Sequence, residues 1–363
     1  MRVAMHAGQL LQPVPGGIGR YVRELLARLA SAGAEPIAFA AGARPRNVPA
    51  PVPWIDLGRP AGSMRYELWH RTRHPIVRLD VDVVHAPSLA VPPVRDAPLA
   101  VTVHDIAFLR VPGSTTRRGV SFHHRALDIA RRDAALVLAP SNFSREDLIR
   151  EGFPPDDIVV APLGVNRPPP RDPDEIDAAV ARAGLRAPYL LTVGTVEPRK
   201  DLPTITAALQ RLRSREPDLE LAVVGPRGWG EVEGLDRAGV RVLGPQPWPV
   251  VDALYRRAAC CCIASRYEGF GLPALEALSC GTPVVAADDS SLTELVGDAG
   301  LLFPPGDVDA LTVAVERVLA DSALRAQLQR RGRARASTLT WEASATAHVE
   351  AFGRALDRYR QRV

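Results

Sequence analysis

From Arg2 onward the chain repeats one local pattern: a short apolar run, then a longer stretch whose apolar positions recur three and four apart. "RVAMHA" precedes "GGIGRYVRELLARLASAG", "DVVHAPS" and "LAVTVHD" precede "RRGVSFHHRALDIARRDA", and "ALVLAPS" follows. Short apolar runs read as buried strands, and the amphipathic stretches between them read as the crossover helices that parallel strands need. This alternation narrows the choice to an α/β domain with a mostly parallel sheet.

The pattern then breaks and restarts. Pro162, Pro168, Pro169, Pro170 and Pro173 crowd "PLGVNRPPPRDPDE", as in an interdomain linker. Beyond it come "YLLTVGT", "LPTITAALQRLRS", "LELAVVG", "GVRVLG", "PVVDALYRRA", "CCCIAS", "LPALEALSCG" and "PVVAA", a second doubly wound domain. With 363 residues the length also favours two domains. The expected division is 1–170, 171–345, and a closing helix, 346–363, that packs back on the first domain. Two such domains on a short linker are expected to face a central cleft at the carboxyl ends of their strands, where ligands of these sheets bind.

Composition narrows the class further. No stretch approaches the ~18 uninterrupted apolar residues of a spanning helix, and the N-terminus lacks the apolar run and cleavage site of a secretory signal. The expected location is cytoplasmic, with a peripheral position at the inner face of the membrane kept open. Residues 1–170 hold 21 basic and 15 acidic residues, a balance of +6, against −2 for the rest. That asymmetry suits an acidic or membrane-surface partner but falls short of a nucleic-acid stripe. Cys260, Cys261 and Cys262 are consecutive, so on a strand their side chains alternate faces and cannot converge on one metal.

Two stretches carry chemistry. In "SRYEGFGLPALEALSCGTPVVA" a strand ends near Ser265, a loop with Gly269 and Gly271 follows, and Pro273 opens a helix that Gly281 stops. The helix N-terminus suits a phosphate, and the glycines let a ligand approach the main chain. Glu268 on the loop and Glu276, expected in the first helical turn, can accept hydrogen bonds from sugar and ribose hydroxyls. Taken singly, Glu276 is also what a helix dipole favours, and Glu268 an ordinary solvated loop residue. The second stretch is "VGTVEPRKD", where Arg199 and Lys200 follow a strand at its carboxyl end. Of 45 basic residues Lys200 is the single lysine. Lysine is a compact point charge, arginine a planar fork, so a site that must reach one leaving oxygen in a tight space explains the exception; chance placement is the alternative.

"RYEGFGLPALEALSCGTPVV", "GTVEPRKD", "APSNFSREDLIREGFPPDDIVVAPLGV" and "PGGIGRYVRELLARL" together resemble the family 4 retaining glycosyltransferases of the GT-B fold, in a bacterial mannosyltransferase-like branch. The resemblance runs through nearly the whole chain, and its Glu-x7-Glu stretch is specific. It implies that Glu268 contacts the donor sugar and Glu276 the ribose. Main-chain amides of Gly269, Phe270, Gly271 and Leu272 would hold sugar hydroxyls and diphosphate, which Arg199 and Lys200 would neutralise. In the first domain it implies a glycine loop at Gly16 and Gly17 against the diphosphate and acceptor, and His104 against a far sugar hydroxyl. Many members carry an arginine after the strand-ending glycine, whereas here Gly194 is followed by Thr195, which leaves the clamp one charge lighter. The base is expected near residues 243–249, where Trp248 either stacks on it or packs as an ordinary tryptophan.

The resemblance further implies hexosyl transfer from a nucleotide sugar, GDP-mannose as the best guess, to a glycan or lipid-linked acceptor in polysaccharide biosynthesis, with no cofactor and no essential metal. A sugar-nucleotide epimerase or hydrolase of related fold and a non-catalytic nucleotide-sugar-binding scaffold are the alternatives. Asp80 and Asp82 form an Asp-x-Asp at the start of a strand, away from the expected cleft, and read as strand-edge aspartates. "MRYELWHRTRHPIVR", residues 64–78, suits a membrane surface or a phosphorylated lipid as well as a solvated helix.

Overall fold

The computed structural model describes residues 1–186 and 188–362. These form two compact units: 1–106, 116–164 and 341 onward in the first, and 107–115 with 165–340 in the second. The boundaries differ from cuts at 170 and 345 for a local reason. Val165 donates its N–H to the Leu339 carbonyl at 2.9 Å and forms an isolated parallel bridge with Thr340. The proline segment is likewise tied to the second unit, since Arg256 donates to the Pro169 carbonyl and Arg171 to that of Pro249.

The first unit holds strands β1 (Arg2–His6), β2 (Glu35–Ala40), β3 (Trp54–Asp56), β4 (Val83–Ala86), β5 (Leu99–Thr102), β6 (Leu136–Ala139) and β7 (Ile158–Val160). They form one sheet in the order β3-β2-β1-β4-β5-β6-β7, parallel at every pairing. The second holds β8 (Tyr189–Val193), β9 (Glu220–Val224), β10 (Val240–Gly244), β11 (Cys260–Ile263), β12 (Val284–Ala287) and β13 (Leu301–Phe303). Its order is β10-β9-β8-β11-β12-β13, again all parallel. Both are Rossmann-like sheets, and in each the order reverses beside the first strand, between β1 and β4 or between β8 and β11. Loops leaving the carboxyl ends at that point diverge to opposite faces and leave a crevice.

The closing helix, Trp341–Arg362, shows why the chain's end belongs to the first unit. Trp341, Ala345, His348, Phe352 and Ala355 are all fully buried; their three- to four-residue spacing makes one helical face. Arg358 pairs with Asp157, and Tyr359 donates to the Arg95 carbonyl at 3.0 Å. The second unit's core gathers Leu190, Ile205, Leu209, Leu221, Cys260, Cys262, Val285 and Leu311. Cys261 is equally buried on the alternate face of β11.

Residues 64–78 are helical only as far as Thr72, and that helix is partly buried, with Met64 and Leu68 exposed. In the helix Gly62–Thr72, Trp69 is fully buried and Arg65 nearly so. Arg65 donates to the carbonyls of Pro60, Leu57 and Gly58 at 2.6–3.0 Å, and Arg73 to those of Trp69, Val91 and Pro92. These cations satisfy backbone oxygens that packing has cut off from water. Among the described residues no helix is long and apolar enough to cross a membrane.

Candidate functional site

In the second unit the switch point is occupied by the residues singled out from the sequence. Past β8 the chain enters a short 3-10 turn, Pro198–Lys200. Past β11 the loop 264–271 leads into the helix Leu272–Cys280. Lys200 Nζ meets Glu268 Oε1 at 2.5 Å and Arg199 Nη1 lies 3.3 Å from Oε2. Arg199 also pairs with Glu197 at 2.8 Å and donates to the Tyr267 carbonyl at 2.6 Å. A cavity at this point is lined by Thr192, Gly194, Thr195, Lys200, Ser265 and Glu268, among others.

Glu268 is buried, where a solvated loop carboxylate had been the alternative. Burial pushes its pKa up, but Lys200 and Arg199, with hydrogen bonds from Lys200 and Ser265, more than offset that and hold it down at about 2. Two carboxylates, Glu197 and Glu268, thus face two cations, and the cluster is neutral as a whole.

Two glycines with positive φ, Gly194 and Gly271, stand at the ends of the strand and loop that build the site. A Cβ on Gly194, at φ +151°, would stand 3.4 Å from Lys200 Cε, so the lysine stem lies along the strand end. Gly271, at φ +95°, begins the helix where a Cβ would meet Leu292 at 2.9 Å. Gly269 and Phe270 are buried between them, Leu272 is the first helical residue, and Pro273 follows.

Glu276 departs from its expected position. The helix starts at Leu272, which puts Glu276 fifth and beyond the first turn; it is buried and accepts from the Tyr255 hydroxyl at 3.1 Å. The structure therefore brings Arg199, Lys200 and Glu268 into contact, with Glu276 on the helix that follows the loop. Trp248 opens another helix, Trp248–Arg257, at the end of the 243–249 loop.

In the first unit, Gly16 (φ +62°) and Gly17 are exposed at the start of the helix Gly16–Leu26, in the segment that leaves β1. His104 follows β5 and donates from Nε2 to the Pro87 carbonyl, at the end of β4, at 2.9 Å. Its pKa is lowered by burial, against the opposing pull of Pro87 and Asp105, so the ring is neutral near pH 7. Tyr21 packs edge-on against it with centroids 4.8 Å apart.

Behind His104 lies a network with no counterpart in the sequence reading. His348 donates from Nδ1 to the Ser344 carbonyl at 2.6 Å, which leaves Nε2 to accept from the Tyr21 hydroxyl at 2.6 Å. The Tyr21 oxygen then accepts from Thr102, and Thr102 from His85 Nε2, both at 2.8 Å. Tyr21 and His348 are 327 positions apart, a separation with no periodicity to betray it. Glu197, held 2% exposed beside Arg199, was also missed; its signal was the carboxylate two residues before the arginine it orients. Asp80 and Asp82 both bind Arg2, at its guanidinium and its N–H, at the amino end of the sheet.

Residues 174–335 match a family model described as glycosyl transferases group 1, and 15–168 one described as glycosyltransferase family 4. The O-antigen chain mannosyltransferase B of Escherichia coli is 35% identical over 303 residues, 79% of this chain and 78% of that one. Among solved structures, sucrose-phosphate synthase from Thermosynechococcus elongatus aligns with a TM-score of 0.73 at 23% identity, over 99% of this chain and 98% of that one. Anabaena HepE in complex with UDP and glucose aligns with a TM-score of 0.73 at 21% identity, over 96% and 98%.

Proposed function

The chain belongs to the family 4 glycosyltransferases of the GT-B fold, and from that premise we propose that it moves mannose from GDP-mannose onto a glycan or lipid-linked acceptor with retention of anomeric configuration. The observation that carries the reading is the contact among Arg199, Lys200 and Glu268 at the switch point. The name of the Escherichia coli relative supports mannose.

In this reading the bond from the sugar's anomeric carbon to the diphosphate oxygen breaks, leaving positive charge on the sugar and negative charge on the nucleoside diphosphate. The acceptor hydroxyl oxygen bonds to the same carbon, and its proton passes to the leaving phosphate oxygen. Arg199 and Lys200, released in part from Glu268, stabilise the departing anion together with the N–H groups that open the helix at Leu272. Such a site supplies its cationic charge from side chains and needs no metal or cofactor. Glu268 holds the donor sugar, aided by the amides of Gly269, Phe270 and Gly271, and Glu276 takes the ribose hydroxyls. Gly16 and Gly17 offer main chain to the diphosphate and the acceptor, and His104, held neutral with its Nε2 proton on the Pro87 carbonyl, accepts from a sugar hydroxyl at Nδ1.

A thermal-shift series with GDP, UDP, dTDP, ADP and their common sugar conjugates tests the donor. A ligand at 100 times its Kd stabilises the folded state by about 2.7 kcal/mol. A shift selective for guanine nucleotides is expected. A uridine or thymidine preference would remove mannose from the proposal and leave the fold and chemistry. Nuclear magnetic resonance of the product on a synthetic acceptor reads the anomeric outcome, and an inverted linkage would overturn retention.

A further inference from the structure

Among the described residues three non-glycine positions have positive φ, and two of them flank the ion pair of the second unit: Asp201 at +47°, directly after Lys200, and Ser290 at +57°. A side chain with a Cβ is unfavourable in that region and persists there only where its surroundings over-determine it. The surroundings of Ser290 are specific. Asp289 caps the short helix Ser290–Val296 and accepts from the Ser290 N–H at 2.6 Å. The Ser290 hydroxyl donates to the Asp289 carbonyl at 2.6 Å. Its remaining lone pairs face the Glu268 amide, whose N–H donates to Oγ at 3.0 Å. Ser291, fully buried, donates from its own hydroxyl to the Glu268 carbonyl at 2.9 Å.

The peptide groups on both sides of Glu268 are therefore held by the two serines that open the helix Ser290–Val296. The loop carrying Glu268 needs such support, because Gly269 and Gly271 within it add backbone freedom. We propose that Ser290 and Ser291 are positioning residues for glycosyl transfer: they hold the Glu268 backbone so that its carboxylate stays opposite Lys200 and Arg199 when the donor enters. In this left-handed backbone the Ser290 hydroxyl meets the Glu268 amide while the Ser290 N–H meets Asp289. The inference rests on the role proposed for Glu268.

Ser290→Gly separates positioning from mere stability. Glycine relaxes the backbone, so Tm is expected to stay level or rise, while loss of the hydroxyl lowers kcat about tenfold, within the range that small misplacements of reacting groups produce. The Glu268 amide should exchange faster with deuterium while amides of the helix Leu272–Cys280 keep their protection. Ser291→Ala should lower kcat similarly, with KM for the donor little changed. Rates are measured with GDP-mannose, and with UDP-glucose if the native enzyme does not turn over the former; Glu268→Gln runs in parallel. Native kcat in Ser290→Gly beside an impaired Glu268→Gln would overturn the positioning role and leave the site intact. Native rates in both would overturn the role of Glu268 itself. A joint fall of Tm and kcat in Ser290→Gly, or an unchanged exchange rate at Glu268, would mark Ser290 as structural and also overturn the proposal.

Discussion

Over six strands the two sheets share one parallel order, yet what each buries at its switch point is chemically opposite. In the first unit Tyr21, His85, Thr102 and His348 form a chain of neutral donors and acceptors. In the second, Glu268 and Glu197 face Lys200 and Arg199 as ions. This neutral network ties distant segments together, with the buried His85 Nδ1 left without a hydrogen-bond partner. A buried ionic cluster costs desolvation, and here Lys200 and Glu268 line a cavity. One topology therefore holds a neutral network in one unit and an ionic cluster in the other.

The largest expected effect comes from removing the anion of the second unit. Glu268→Gln leaves two cations without their shared carboxylate and should lower kcat by about 10²–10³, with a loss of about 3–5 kcal/mol in denaturant-monitored stability. Lys200→Ala should raise the Kd for the donor strongly in titration calorimetry. Lys200→Arg is the sharper variant: because the stem lies along Gly194, the longer fork is expected to cost about tenfold in kcat/KM, each factor of ten being 1.4 kcal/mol. Native activity in that variant would mean that the lone lysine has no steric reason.

In the first unit, Tyr21→Phe should destabilise by about 1–3 kcal/mol by leaving His348 Nε2 and Thr102 short of a partner, without changing KM for the donor. Chemical denaturation and steady-state kinetics measured together would read the contrast.

Acid separates the two regions by sign and window. Burial, opposed by the Ser344 carbonyl, lowers His348 from the usual 6.5 to about 4. The unfolded chain thus takes up its proton first, and stability falls as pH drops from 6.5 through 4. Glu268, lowered from 4.5 to about 2, contributes stability that is intact above 4.5 and is lost only as pH falls through 2. The first unit is expected to loosen first. Trp69 and Trp341, fully buried there, are suited to report it by fluorescence, since Trp229 and Trp248 of the second unit are exposed. A fluorescence transition confined to pH below 4 would sink the comparison. The smallest effect is expected at Asp80, whose side chain is fully exposed: Asp80→Ala should change neither activity nor its response to divalent cations.

Much of this was legible in the chain because it depended on local spacing. Both sheets follow from the alternation of apolar runs and amphipathic stretches, and Glu268, Gly271 and Lys200 stand in short motifs. What escaped depended on partners far away in sequence or on backbone atoms. Arg65 and Arg73 looked like surface cations, because the carbonyls that hold them carry no side-chain signature. Glu276 sits just beyond the first turn that its motif suggested, because the helix begins at Leu272. "DDSSL" reads as an ordinary capped helix start; nothing in it reveals that its serines hold a loop 22 and 23 positions earlier.

The isolation of Lys200 has a practical consequence. With a single lysine in the chain, acylating reagents have one side-chain amine to modify, and it is paired with Glu268 with only 14% of its side chain exposed. Biotinylation or resin coupling through amines will therefore either spare the side chains altogether or strike the proposed donor site, and the pace of Lys200 labelling becomes an occupancy gauge for whatever displaces the carboxylate.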